Sequence, residues 1–328
     1  MNKTKVALVT REPVDVRLAA LKKIAAKKDL LEFVSADVLQ DPDEIITKCS
    51  GAEVLITVNI DPVNAIASKL PALKLLQTFS AGTDRLDKAG LLRRGTKVAN
   101  NGGANSVAVA EHTIMLILTI NHKFGEQIES VKKGNWATGI SGPLSDATSL
   151  VGKQVGIIGL GRIGSRVAKR LAAWECTVVY FDTENFDRAY EESAGARRLS
   201  LEELVSTSDY ISLHVPLDRV THHMFSTEQF KAMKKDAVLI NTCRGSVVDE
   251  PALIKALRNQ DIWGAGLDVT EVEPISPSNP LLTMPNVVIT PHQATRVIQS
   301  EWNADINAVE NAERIALNLE PYWVVDPV

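Results

Sequence analysis

The stretch Gly159-Leu160-Gly161-Arg162-Ile163-Gly164 constrains this chain more than any other, because glycines at that spacing serve one local geometry. The apolar run Val155-Gly156-Ile157-Ile158 before it predicts a buried strand, and Arg162 to Ala173 predicts a helix that opens inside the glycine run. In such a strand-turn-helix unit Gly159 permits the turn, Gly161 lets the backbone approach a pyrophosphate, and Gly164 lets helix and strand touch. The start of the helix, with Arg162 and Ile163, adds N–H groups and the positive end of a dipole for the phosphates.

A second apolar run, Thr177 to Phe181, ends in Asp182, close to the spacing of about 20 residues at which an acid receives a ribose 2′-OH. Thr183 and Glu184 follow, and no Arg stands beside them to accept a 2′-phosphate. NAD is therefore expected as cofactor rather than NADP.

At 328 residues with 45% hydrophobic content, the chain has room for two domains with cores of their own. A net charge of −4 argues against a nucleic-acid surface. The three cysteines, Cys49, Cys176 and Cys243, have no metal-type spacing and suit a reducing compartment. The N-terminus leads into a strand with no signal-peptide pattern, which makes the cytoplasm the expected location. The most apolar segment, Ser106 to Ile120, is interrupted by Glu111 and His112 and is too short to span a membrane, so it reads as a buried helix.

Strands alternate with helices along the whole chain, which predicts the α/β class with parallel sheets covered on both faces. Five strands fall in the first hundred residues: Val6–Thr10, Leu31–Ser35, Val54–Thr57, Leu73–Thr78 and Lys97–Ala99. After Asp182 the runs 210–215, 237–240, 264–269 and 287–290 continue a second sheet. The tail, Ser300 to Leu319, has an amphipathic helical pattern and is expected to return to the first sheet. The expected architecture is two Rossmann-like, doubly wound domains with an active-site cleft between them. A discontinuous substrate-binding domain covers 1–101 and 293–328, and a dinucleotide domain covers 102–292. Arg244, Asp268, Glu273 and His292 all fall at or just after predicted strand ends, where ligands of such sheets bind.

The run GIIGLGRIG, the segments NTCRGSVVDE (Asn241 to Glu250) and GLDVTEVEP (Gly266 to Pro274), and the TPH of Thr290 to His292 stand in a characteristic order. With FSAGTD (Phe79 to Asp84) and NSVAVAEH (Asn105 to His112), this order resembles the D-isomer-specific 2-hydroxyacid dehydrogenases over nearly the whole chain. The resemblance implies hydride transfer between a nicotinamide and C2 of a 2-keto acid. It makes His292 the acid and base, Glu273 its supporting carboxylate, and Arg244 the group that binds and polarises the substrate. Those roles fit the chemistry: an imidazole exchanges protons near neutral pH, and a guanidinium presents a planar fork to a carboxylate. The resemblance also assigns the backbone amides of Ala81 and Gly82 to the substrate carboxylate, Thr242 and Asp268 to the nicotinamide side, and His214 and Pro216 to the adenine side. It implies a homodimer formed through the buried helix and the Asn121 to Ser149 stretch.

Several residues receive ordinary readings. His222 and His223 are expected on the surface without a metal, Cys243 as a packing residue, and Trp136, Trp302 and Trp323 in core or subunit packing. Gln293-Ala294-Thr295-Arg296 replaces the small residues common after the catalytic histidine, which raises the hypothesis of a substrate with a second polar or anionic group. The loop Val58 to Pro62 lacks the basic residues of phosphate-binding relatives, and Glu273 stands where formate-dehydrogenase-like chains carry Gln. A phosphite-type oxyanion dehydrogenase and an NADH-sensing corepressor-type binding protein share this scaffold and stay open at this level.

Overall fold

The protein is described by a computed structural model for residues 3–11, 13–58, 60, 62–136 and 147–326. It divides into two compact units, Met1–Asn105 with Arg296–Val328, and Ser106–Thr295. These boundaries differ from the expected ones for local reasons. Asn101 bonds Asn105 and the Ala104 amide (3.3 and 3.1 Å), keeping that turn with the first unit. The amides of Gln293 and Ala294 bond Asp268 and stay with the second.

The first unit is built on β1 (Thr4–Thr10), β2 (Leu31–Asp37), β3 (Val54–Thr57), β4 (Leu75–Thr78) and β5 (Lys97–Ala99), all parallel in the order β2-β1-β3-β4-β5. Alternate residues supply opposite faces. Ala7, Val9, Leu55 and Leu76 pack with Ile45, Val63 and Ile66 on one side, while Val6, Leu8, Val54, Ile56 and Leu75 meet Leu21 and the tail helix on the other. That helix, Ile298–Ala316, lays Ala308, Val309, Ala312 and Ile315 on the sheet.

The second unit continues with β6 (Gln154–Ile158), β7 (Thr177–Phe181), β8 (Arg197–Arg198), β9 (Tyr210–Leu213), β10 (Val238–Asn241), β11 (Gly264–Leu267) and β12 (Val287–Ile289). They form one parallel sheet, β12-β11-β10-β9-β6-β7-β8. Strand order reverses at β6, between β7 and β9, and the carboxyl end of β6 is the switch point where a dinucleotide binds in such sheets. The Ser106–Asn121 helix is apolar nearly all round and lies on the sheet so closely that a Cβ at Gly266 would come within 3.2 Å of Leu116 and 2.9 Å of Ile120. β8 is absent from the sequence reading. It has two polar residues and no alternation, and is defined only by its pairing with Val179 and Tyr180.

Candidate active site

The glycine turn behaves as its spacing predicts. Gly159 has φ +93°, and a Cβ there would sit 2.6 Å from the His214 carbonyl oxygen. At Gly164 a Cβ would overlap the Gly159 carbonyl oxygen at 2.0 Å, so helix and turn touch directly. Gly161 is different: nothing lies within 4 Å of a Cβ built there. The protein does not fill that space, and a pyrophosphate can. The helix proper is Gly164–Leu171, and no side chain caps its first turn, so Arg162 and Ile163 belong to the turn and not to the helix as expected.

Asp182 follows β7 and accepts from the Leu160 amide (2.7 Å) and the Glu184 amide (2.9 Å), which ties the acid to the glycine turn. Tyr190 supports the same turn through its hydroxyl on the Leu160 carbonyl (3.0 Å). An Arg does stand near this corner, contrary to the sequence reading, because β8 carries Arg198 beside β7. Its guanidinium donates to the carbonyls of Asp182 (2.5 Å) and Glu184 (2.9 Å), which braces the turn. After β9, Pro216 accepts from the Thr221 hydroxyl (2.6 Å). His214 bonds Ser212 through Nε2 (2.9 Å), but its buried Nδ1 has no partner, and burial pushes the imidazole down to about 3.

Arg244, Glu273 and His292 follow three neighbouring strands, β10, β11 and β12. Beyond β10, Asn241 is buried and shapes the turn: its Nδ2 donates to the Arg244 carbonyl (2.9 Å), and its Oδ1 accepts from the Cys243 amide (3.0 Å). Arg244 donates to the Cys243 carbonyl (2.6 Å). Burial pushes the Cys243 thiol up to about 11, which fits a packing residue. Thr242 is buried against the Thr113 hydroxyl (3.1 Å). Gly245 lets this turn press on the next one, since a Cβ there would lie 1.9 Å from the Thr270 carbonyl oxygen.

Beyond β11, Glu273 accepts from the Thr270 amide (3.3 Å), and its Oε2 lies 2.8 Å from His292 Nδ1. Burial works against the charged carboxyl, yet His292, the Thr270 amide and the Arg244 charge together hold it below the ordinary carboxyl range. Glu273 is thus ionised at neutral pH and accepts from the Nδ1–H of His292. His292 has φ +54°, a left-handed conformation that costs a side-chain-bearing residue about 1–2 kcal/mol. It is held there by its amide, which donates to the Asp268 carbonyl (2.8 Å).

Asp268 is buried and accepts from the Gln293 and Ala294 amides (both 2.9 Å) and the Thr290 hydroxyl (2.6 Å), so its carboxylate clamps the turn that carries His292. Thr290 and Asn241 enter the sequence reading only as letters of motifs. A polar residue ending a fully apolar strand was the signal available for both. His223 is a correction. It is half-buried, with Nε2 on Glu271 (2.7 Å) and its amide on the Ser246 carbonyl (2.8 Å), so it joins the Arg244 turn to the Glu273 turn. Trp136, Trp302 and Trp323 are all exposed and none is a core residue.

Ala81 and Gly82 lie in the first unit beyond β4, where Asn100 donates to the Ala81 carbonyl (3.2 Å) and the Ser80 hydroxyl to that of Gly82 (2.9 Å). Arg296 also belongs to that unit. Asn59 and Asp61 of the expected substrate loop, and residues 137–146 of the expected dimer stretch, lie outside the described residues. Among the described residues no cluster of three metal-ligating side chains occurs, and no helix is long and apolar enough to cross a membrane.

A glycine turn at the switch point, an acid beyond β7, and Arg244, Glu273 and His292 beyond the successive strands β10, β11 and β12 fit a nicotinamide-dependent oxidoreductase acting on a CH–OH group. The chain belongs to the D-isomer-specific 2-hydroxyacid dehydrogenase family, whose NAD-binding-domain sequence model matches residues 114–294. It is 35% identical over 293 residues to a glyoxylate reductase of Thermofilum pendens, covering 89% of this chain and 86% of that one. Two solved relatives bear on the cofactor. The NAD complex of a D-isomer-specific 2-hydroxyacid dehydrogenase from Lactobacillus delbrueckii ssp. bulgaricus superimposes with a TM-score of 0.81 at 27% identity, over 98% of this chain and 100% of that one. An NADPH-dependent glyoxylate/hydroxypyruvate reductase from Sinorhizobium meliloti, solved with NADP and malonate, gives 0.85 at 26% identity, over 99% and 98%.

Proposed function

We propose that the protein reduces a small 2-keto acid of the glyoxylate or hydroxypyruvate type to the 2-hydroxy acid, with NADH. The observation that carries this reading is the Glu273–His292 pair at 2.8 Å, with the Arg244 charge acting on the same carboxylate. A bound reduced nicotinamide dinucleotide supplies the hydride. His292 gives the proton on Nε2 to the oxygen at C2, while Glu273 keeps the ring oriented through Nδ1. Arg244 holds the substrate carboxylate and polarises the carbonyl. Gly159, Gly161, Arg162, Ile163 and Gly164 hold the pyrophosphate. Thr242 and Asp268 serve the nicotinamide side, and His214 and Pro216 the adenine side.

The preference for NADH rests on Asp182, whose carboxylate repels a 2′-phosphate. Kinetics with NADH and NADPH against glyoxylate, hydroxypyruvate, pyruvate and dicarboxylic 2-keto acids test both parts. A higher kcat/KM with NADH and a small keto acid is expected; turnover with none of these substrates refutes the reading. In the same scheme the enzyme works in the cytoplasm as a homodimer. Met115, Phe124, Ile128 and Val131 stand exposed on the Ser106–Asn121 helix and on the helix that follows it, and support that association. Light scattering that gives a monomer at micromolar concentration would rule it out.

A further inference from the structure

The proton chemistry uses one histidine, yet a second imidazole lies close to the same turn. His112 projects from the Ser106–Asn121 helix, which also packs on β10, β11 and β12. Its Nε2 lies 2.8 Å from the Thr290 hydroxyl and 3.4 Å from Asp268 Oδ1, and the ring is largely buried. Thr290 has one hydroxyl proton, and the 2.6 Å contact to Asp268 Oδ1 commits that proton to the carboxylate. The Thr290 oxygen then accepts from His112, so Nε2 of His112 carries a proton. Burial lowers the affinity of this ring for a second proton, and the Asp268 charge only partly offsets that, which suits a neutral donor.

From Asp268 the chain of bonds passes to the amides of Gln293 and Ala294, immediately after His292. Its backbone carbonyl takes the amide of His292 itself. The left-handed backbone of His292 is therefore framed by a carboxylate whose own direction depends on Thr290, and Thr290 is oriented by His112.

We propose that His112 is a positioning residue for the reaction: through Thr290 and Asp268 it sets the turn that aims His292. The proposal rests on the reductase reading for its kinetic arm, and the assays separate the two. His112→Leu removes the donor, His112→Gln keeps one near the Nε2 position, and Thr290→Val breaks the relay at its middle with little change of shape. Amide exchange at Gln293 and Ala294, followed by NMR without any substrate, is expected to speed up about tenfold or more in His112→Leu and Thr290→Val and to recover in His112→Gln. In turnover, the two disruptive variants are expected to lose about 10- to 100-fold in kcat, the scale of an ångström misplacement, with KM within about threefold. The double variant should be no worse than either single one, because both cut one relay.

Wild-type exchange and turnover in His112→Leu would overturn the proposal. Equal damage in His112→Leu and His112→Gln, or additive losses in the double variant, would do the same. If the wild-type protein reduces no 2-keto acid, the functional reading fails and the exchange measurements still decide the role of His112.

Discussion

Gly245→Ala tests whether the Arg244 turn and the Glu273 turn must touch. The added Cβ would lie 1.9 Å from the Thr270 carbonyl oxygen, 2.0 Å from its carbon and 2.5 Å from the Glu271 nitrogen, and none of these backbone atoms can swing aside as a flexible side chain would. Ordinary contact begins near 3.4 Å, so the two segments must part by about 1.5 Å. Misplacement of about 1 Å in a catalytic array costs on the order of 10²-fold, so kcat/KM for keto-acid reduction is expected to fall by about that factor or more. Overpacking of this kind also costs about 1–3 kcal/mol, which lowers Tm by several degrees. The assay is initial-rate NADH oxidation beside a thermal melt, with circular dichroism to confirm the fold. A folded Gly245→Ala protein with wild-type kcat/KM would show that contact between these turns is not what positions Arg244 and Glu273.

Gly161→Ala is the converse case. Its Cβ enters space the protein leaves open, so Tm should not fall, whereas the loss of one charge-assisted phosphate contact, about 1.5–3 kcal/mol, should raise the Kd for NADH by roughly 10- to 150-fold; unchanged affinity by fluorescence titration would count against the cradle. Glu273 has a carboxyl held below the ordinary value of 4.5, so its contribution to stability is complete above that value and is lost as pH falls through the lower folded-state value. Melts of wild type and Glu273→Gln should therefore converge in strong acid and differ above it, and parallel curves throughout would contradict the assignment. His214 is buried neutral, pushed down from 6.5 to about 3, so the unfolded chain binds its proton first and the wild type loses stability as pH falls from 6.5 towards 3. His214→Leu should flatten Tm over that window, and an equally steep decline would show that this imidazole is not the source.

Much of this was readable from residues. The apolar runs gave both sheets, because strands covered on two faces must be apolar throughout, and the glycine run marked the switch point without any coordinates. The placement of Arg244, Glu273 and His292 beyond neighbouring strands was legible because each follows such a run, whereas the roles proposed for them came from the family resemblance. What escaped was whatever depends on pairing between distant segments. The two-residue β8 has no pattern of its own, so the Arg198 it sets beside Asp182 could not be foreseen. His223 looked like half of a surface pair until the Glu271 turn came alongside it, and Thr290 and His112 acquire a common role only when β12 and a helix more than a hundred residues earlier are packed together.

The most direct test of the central claim is the fate of label from NADH deuterated at the transferable C4 position, with glyoxylate as acceptor and mass spectrometry of the product. The account predicts deuterium on the carbon that was the carbonyl, with the rate in His292→Gln reduced by about 10²- to 10⁴-fold, the scale of general acid catalysis. Product without deuterium, or transfer that proceeds at the wild-type rate in His292→Gln, would contradict it.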